Sequence, residues 1–238
     1  MSPQFRAGGL DVGQVLTDTI ADRVRRRLTL PGLREESVKI GSGRVERGRY
    51  LLSFARRALL PGPKARFLAL AEDLSLDATA LLSELSAACA VHVGIEADGR
   101  AKLYLEFPET LAPAPGLVFL AVKHDAHVNR YTRTFRAAQL LHGLLPDSPA
   151  RATALACLPT GGATLHVTED GGLRSSIDIH LADTGMLVRD LPGLDALVAG
   201  YDDDLADIRD EVLGHFAAGI GRDGQPFCTI YYGGRYDP

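Results

Sequence analysis

Eight consecutive residues, Arg174-Ser175-Ser176-Ile177-Asp178-Ile179-His180-Leu181, sort into two sets with a period of two. Extended backbone sends successive side chains to opposite faces. Arg174, Ser176, Asp178 and His180 then share one face, and Ser175, Ile177, Ile179 and Leu181 the other. Residues 101–107 repeat the pattern, with Lys102, Tyr104 and Glu106 against Ala101, Leu103, Leu105 and Phe107. A helix would scatter both sets around its circumference, so these stretches commit the chain to strands. Each strand has one apolar face that other elements must cover. The opposite face is denser in ionisable groups than a plain solvent face.

Turn residues divide the chain between such strands. Asp98-Gly99 separates a strand over 90–95 from one over 100–107, a strong hairpin signal. Glu169-Asp170-Gly171 turns the strand over 164–168 into the stretch just described, and Arg222-Asp223-Gly224 turns a last hairpin over 215–233. The run Gly94-Ile95-Glu96-Ala97-Asp98-Gly99 is echoed by Gly219-Ile220-Gly221-Arg222-Asp223-Gly224. Helical material precedes the hairpins at 78–89, at 148–158, and at 194–201 with 204–213. Residues 117–123 read as a buried strand, and 129–139 as a strand that gives way to a helix.

The first 76 residues read as mainly helical. Val15, Leu16, Ile20, Val24 and Leu28 recur at helical spacing until Pro31-Gly32. A short strand over 36–40, a Gly41-Ser42-Gly43 turn and a helix in the second half of 45–60 follow, and the tail 234–238 reads as loosely ordered. The expected fold is a single α+β domain over 1–238. Repeated helix–β-hairpin units form a large antiparallel sheet or barrel, with helices packed on the apolar outer face. The sequence leaves open whether the sheet closes.

A net charge of −4 argues against nucleic-acid binding by broad phosphate neutralisation. No window approaches the ~18 apolar residues of a membrane span, so no membrane partner is expected, and the first residues lack the apolar core of a signal peptide. The three cysteines, Cys89, Cys157 and Cys228, lie far apart without a CxxC. That is neither a disulfide framework nor a zinc knuckle, and it suits a reducing cytoplasm. Only Lys39, Lys64, Lys102 and Lys123 among 26 basic residues are lysines, as in a GC-rich bacterial coding sequence. Two of the four fall in strand candidates, where a compact ammonium differs from the default arginine.

The polar faces collect His92 and Glu96; Lys102, Tyr104 and Glu106; Lys123; His166; and Arg174, Ser176, Asp178 and His180. In a closed sheet they line a lumen able to bind an anionic or aromatic small molecule and to shield a reactive intermediate. In an open sheet they meet a protein or peptide partner or a second copy, which makes the chain a non-catalytic binding or assembly protein. A third reading is a metal-dependent enzyme centred on His166, Asp178 and His180. Asp203, Asp204 and Asp207 have the spacing of a magnesium-binding DDxxD, so Mg2+ is the one cofactor the sequence offers. An acidic first turn complementing a helix dipole is the plainer account of them. There is no G-x-S-x-G elbow, Walker A loop or dinucleotide glycine fingerprint.

The helix and hairpin repeats, and the segment Arg100-Ala101-Lys102-Leu103-Tyr104-Leu105 with its lysine and tyrosine, resemble the ABBA (PT-barrel) aromatic prenyltransferases over residues 78–235. The resemblance implies transfer of an allylic group from a diphosphate to an aromatic acceptor. It implies that Lys102, Lys123 and Arg174 bind the diphosphate. Tyr104 and Tyr231 would shield positive charge with their π faces, and His180 would contact substrate. Glu106 or Asp178 would orient or deprotonate the acceptor.

Overall fold

The computed structural model describes residues 12–28, 30–201 and 205–237. Among these residues there are ten strands: β1 (Gly32–Gly41), β2 (Arg44–Ala55), β3 (Ala90–Ile95), β4 (Ala101–Glu106), β5 (Leu117–Lys123), β6 (Val128–Arg133), β7 (Thr164–Glu169), β8 (Ser175–His180), β9 (Leu213–Ile220) and β10 (Pro226–Asp237). All neighbouring pairs are antiparallel, and consecutive strands form five hairpins. The sheet closes into a barrel because β1 pairs with both β2 and β10. Closure leaves no unpaired edge.

The echoed runs fold into the same turn. Glu96 N–H donates to Arg100 O at 2.9 Å, and Gly221 N–H donates to Gln225 O at 2.9 Å. The Asp98 and Asp223 carboxylates each accept from the amide two residues on, both at 3.1 Å. Gly99 and Gly224 take φ +80° and +73°, a left-handed conformation that a Cβ would strain.

Among the described residues six α-helices pack outside the barrel: α1 (Val12–Arg27), α2 (Pro63–Asp73), α3 (Thr79–Leu82), α4 (Ala137–Leu144), α5 (Pro149–Cys157) and α6 (Leu194–Val198). Ser148 caps α5, its hydroxyl accepting from Arg151 N–H, and Pro149 fills the first turn. The apolar core lies between helices and strands in two clusters. In one, Val24, Phe67, Leu70 and Leu81 meet Leu52, Val93, Leu103 and Leu105. In the other, Leu141, Ala154 and Leu194 meet Val38, Ile177, Ile179, Phe216 and Ile230. The grease is therefore outside the barrel wall and the polar rows are inside it. Phe216 is wholly buried in the second cluster. Phe216→Ala is expected to cost about 3–5 kcal/mol, read as a lowered midpoint in urea.

The N-terminal third departs from expectation. Two long strands, β1 and β2, run through the region read as mainly helical, and Arg56–Leu59 forms only one 3-10 turn. In β2 the periodicity is broken: the slip opposite Ser37 and Lys39 puts an extra residue between Glu46 and Arg49. β1 alternates without a break, but its first half, Arg34-Glu35-Glu36, is charged on both faces, and its slip against β10 puts the extra residue on β10. The helix expected over 78–89 shrinks to α3, and that over 204–213 to a 3-10 turn at Ala206–Ile208. The tail read as loosely ordered continues β10, with Asp237 opposite Gly32. Cys157 and Cys228 are buried, whereas Cys89 is exposed.

Candidate active site in the barrel lumen

Residues facing each other across a ladder share a side of the sheet. Lys102 opposes Lys123, Tyr104 opposes His92 and Ala121, and Glu106 opposes Phe119. On the far wall Asp178 opposes Ala217, His180 opposes His215, and His215 opposes Tyr231. These residues face the lumen, arranged from a cationic mouth through an aromatic waist to a floor of histidines and carboxylates.

At the mouth a cavity of about 980 Å³ opens, lined by Lys39, Arg49, Glu96, Lys102, Lys123 and Arg174 among others. Glu96 accepts from Arg49 at 2.5 Å and also pairs with Lys102. Lys123 reaches Glu169 at 3.2 Å and Lys39 reaches Glu46 at 3.8 Å. Five lumen cations thus face three carboxylates. Arg174 makes no ion pair among the described residues. Its guanidinium lies 5.5 Å from the Phe227 ring, and its Nε is buried with no hydrogen-bond partner. Arg222, from the β9–β10 turn, spans the rim, with two of its three nitrogens on Glu169 at 2.6 and 2.7 Å and the third paired to Asp125.

The cations depress one another. Burial, then Arg49, Arg174, Lys123 and Lys39, push Lys102 well below the usual lysine range. Burial, then Arg174 and Arg222, bring Lys123 down to about 7 against the pull of Glu169. Lys39 is lowered by burial, with Arg49 and Arg174 adding to it. The mouth, taken by itself, is short of negative charge.

Below the mouth the lumen turns aromatic. The Tyr104 and Tyr131 rings are 5.8 Å apart, Tyr131 and Phe119 5.7 Å, and Phe119 and His92 5.5 Å. Across the space Tyr231 lies 5.6 Å from His215. Burial raises the Tyr104, Tyr131 and Tyr231 hydroxyls above the ordinary phenol range, so all three stay neutral. Neutral phenol rings present electron-rich faces to a cation.

At the floor, Glu106 Oε2 is 3.0 Å from His92 Nε2, and His92 Nδ1 is 2.7 Å from Ser53 Oγ. The His92 hydrogen bond outweighs burial and holds Glu106 below the usual carboxylate range, so it is ionised. Asp178 is 3.4 Å from His215 Nδ1. Burial alone would lower His215, but Asp178 holds it up at about 9. The His180 and His215 rings lie 3.9 Å apart, and burial followed by the His215 charge keeps His180 neutral.

The structure therefore puts Lys102, Lys123 and Arg174 at the mouth, Tyr104 and Tyr231 at the waist, and Glu106, Asp178 and His180 at the floor. His166 is a correction. It opposes Ile177, an outward residue, and its Nε2 bonds Ser175 Oγ at 2.8 Å outside the barrel. β7 reverses the rule used to place it, because Leu165 and Val167 line the lumen while Thr164, His166 and Thr168 face outward. The metal triad of His166, Asp178 and His180 is thereby undone. Asp203 and Asp204 lie outside the described residues, and Asp207 pairs with Arg47 at 3.0 Å. Sequence reasoning missed Lys39, Arg49, Tyr131 and His215. Lys39 alternates simply with Val38 and Ile40, which was the available signal, and Arg49 borders the slip of β2. β6 has no apolar face to set its parity. For His215 the small residues Ala217 and Gly219 on its face were the available signal.

No protein-family model matches the chain, and no curated protein matches it in sequence. Solved structures do. The 5-dimethylallyl tryptophan synthase from Streptomyces coelicolor, in complex with DMASPP and Trp, superposes with a TM-score of 0.60 at 14% identity, over 94% of this chain and 90% of that one. A second structure of the Streptomyces coelicolor enzyme gives 0.59 at 13%, over 94% and 92%. The likeness is one of fold: this is the closed antiparallel barrel of the ABBA, or PT-barrel, aromatic prenyltransferases.

Proposed function

We propose that the chain transfers an allylic group from a diphosphate donor to an aromatic acceptor inside the barrel. The observation that carries this reading is the cation cluster at the mouth, set directly above a ring of neutral tyrosines. A diphosphate supplies the charge the cluster lacks, and Arg174, with no acidic partner among the described residues, is free to fork its oxygens. Lys102 and Lys123 add compact ammonium groups. The donor C–O bond then breaks with its electron pair leaving on the diphosphate, where the cations stabilise it. Tyr104, Tyr131 and Tyr231 shield the allylic cation and exclude water from it. A carbon of the acceptor ring supplies the electron pair of the new bond, and the resulting arenium ion loses its proton to Glu106. Asp178 is engaged by His215 and is the weaker candidate for that proton.

The fold of the Streptomyces coelicolor synthase supports the reading, and so does the use of DMASPP and Trp as its bound partners. Closure of the sheet removes the open polar face on which a binding or assembly role rested. Because the mouth itself provides the counter-charge, turnover is expected without added Mg2+. The test is incubation with dimethylallyl or geranyl diphosphate and a panel of indoles and phenols, read by mass spectrometry and by release of inorganic diphosphate. One prenyl unit added to an acceptor is the expected result; a donor that binds but is never consumed with any acceptor contradicts it.

Binding should also depend on pH. Lys123 stands at about 7 in the empty lumen, and a neighbouring diphosphate favours its charged form. The bound state then holds more protons than the free state above that pH, so affinity falls as pH rises. Calorimetry at pH ~8 in two buffers of different ionisation enthalpy is expected to show proton uptake on binding. Lys123→Met should diminish that uptake.

A further inference from the structure

We propose that Asp178, His180 and His215 form a binding site for a divalent transition-metal ion of the Zn2+, Co2+ or Fe2+ class, on the lumen floor. It stands apart from the cationic mouth and does not depend on the prenyl-transfer reading. Asp178 and His180 lie two residues apart on β8, and His215 directly opposes His180 on β9. Three ligating side chains are thus fixed on one patch of a closed sheet, where backbone hydrogen bonds hold their spacing. One donor atom from each lies within 4.8 Å of the others, so rotamer adjustments bring them around one ion.

Two atoms of the cluster lack what a buried polar atom needs. His180 Nε2 is buried with no hydrogen-bond partner, and Asp178 Oδ1 makes no well-aligned hydrogen bond. Coordination satisfies both at once. The stacked imidazoles, 3.9 Å apart, gain a shared ligand, and His215 gives up its proton on binding. A second carboxyl belongs to the same patch. Glu35 sits at the register slip of β1, and its Oε1 lies so close over Gly214 that a Cβ there would come within 2.0 Å. Its field acts on both His215 and Asp178. Two imidazoles with carboxylates select transition ions over Mg2+, which prefers an all-oxygen shell.

The test titrates untagged, metal-stripped protein with Co2+, followed by its visible d–d absorption, and with Zn2+ by calorimetry. One ion per chain is expected, together with a raised melting temperature. His180→Ala and His215→Ala should each weaken binding by about 100-fold or more. His166→Ala, which alters an outward histidine, should leave it unchanged. Asp178→Asn, which keeps the shape of the cluster, separates loss of a ligand from loss of fold when circular dichroism shows the barrel intact. Binding equally strong in the His180 and His215 variants, or no binding at ~1 mM ion, overturns the site. Inorganic diphosphate binding at the mouth, measured on the same variants, is expected to persist in either case.

Discussion

Lys102→Met is expected to lower kcat/KM by about 10²–10³-fold and, in the same protein, to raise the melting temperature of the empty barrel. The two effects have one cause. Lys102 is buried among Arg49, Arg174, Lys123 and Lys39, and that burial with those four charges is what depresses its pKa despite the Glu96 contact. Methionine fills much the same space without the charge. Glu96 keeps its 2.5 Å partner in Arg49, so no acid is orphaned. The donor-free protein is then expected to melt higher, each ~1 kcal/mol of relief being worth about 2–4 °C for a chain of this length. In the donor complex the ammonium faces the leaving diphosphate, and removing such a group from a desolvated site costs about 3–4 kcal/mol in the transition state. Steady-state kinetics and thermal melts on one preparation check both halves. A variant that melts lower while turning over normally would show Lys102 to be a structural ion-pair partner of Glu96 only.

Glu106→Gln is expected to lower kcat by about 10²–10⁴-fold while leaving donor affinity close to wild type. Glu106 is at the floor, away from the diphosphate, and glutamine keeps an acceptor for His92 Nε2 while losing the basic oxygen. An arenium ion is a strong acid, so a carboxylate with a lowered pKa is base enough. His92 holds Glu106 below its ordinary 4.5, so the base form persists at mildly acidic pH. Activity limited by Glu106 is therefore lost only as pH falls through that lowered value, and the acid limb should move when His92 is replaced. Single-turnover experiments with pre-bound donor separate this step from binding. Full turnover in Glu106→Gln transfers the proton to another group.

How much of this was legible in the sequence varied strand by strand. β4 and β8 declare their faces because in each an apolar row under helices, broken only by Ser175, alternates with a wholly polar row inside. The turns at Asp98-Gly99 and Asp223-Gly224 are equally plain, since the Asx hydrogen bond and the left-handed glycine need those residues. β2 was hidden by its slip between Glu46 and Arg49, and the start of β1 by the run Arg34-Glu35-Glu36, charged on both faces; the alternation Ser37-Val38-Lys39-Ile40 is simple and puts Lys39 opposite the apolar pair. β7 misled, because part of its outer face is solvated and its apolar residues turn inward, which sent His166 to the wrong side. Closure was not legible at all. It depends on β1 meeting β10 almost two hundred positions away, as in Lys39 opposite Thr229, and no local pattern records that pairing. The arrangement of the floor follows from closure too, since His215 joins Asp178 and His180 only through the pairing of β8 with β9.

The most direct measurement is equilibrium binding of geranyl diphosphate, without acceptor, to the wild-type protein and to the Lys102→Met/Arg174→Met double variant. Geraniol serves as the chargeless control. Saturable one-to-one binding by the wild type, at least ~10²-fold weaker in the double variant and weak for geraniol in both, is the predicted result. Equal affinity in the two proteins, or equal affinity for geraniol and its diphosphate, would mean that the cationic mouth does not hold the donor.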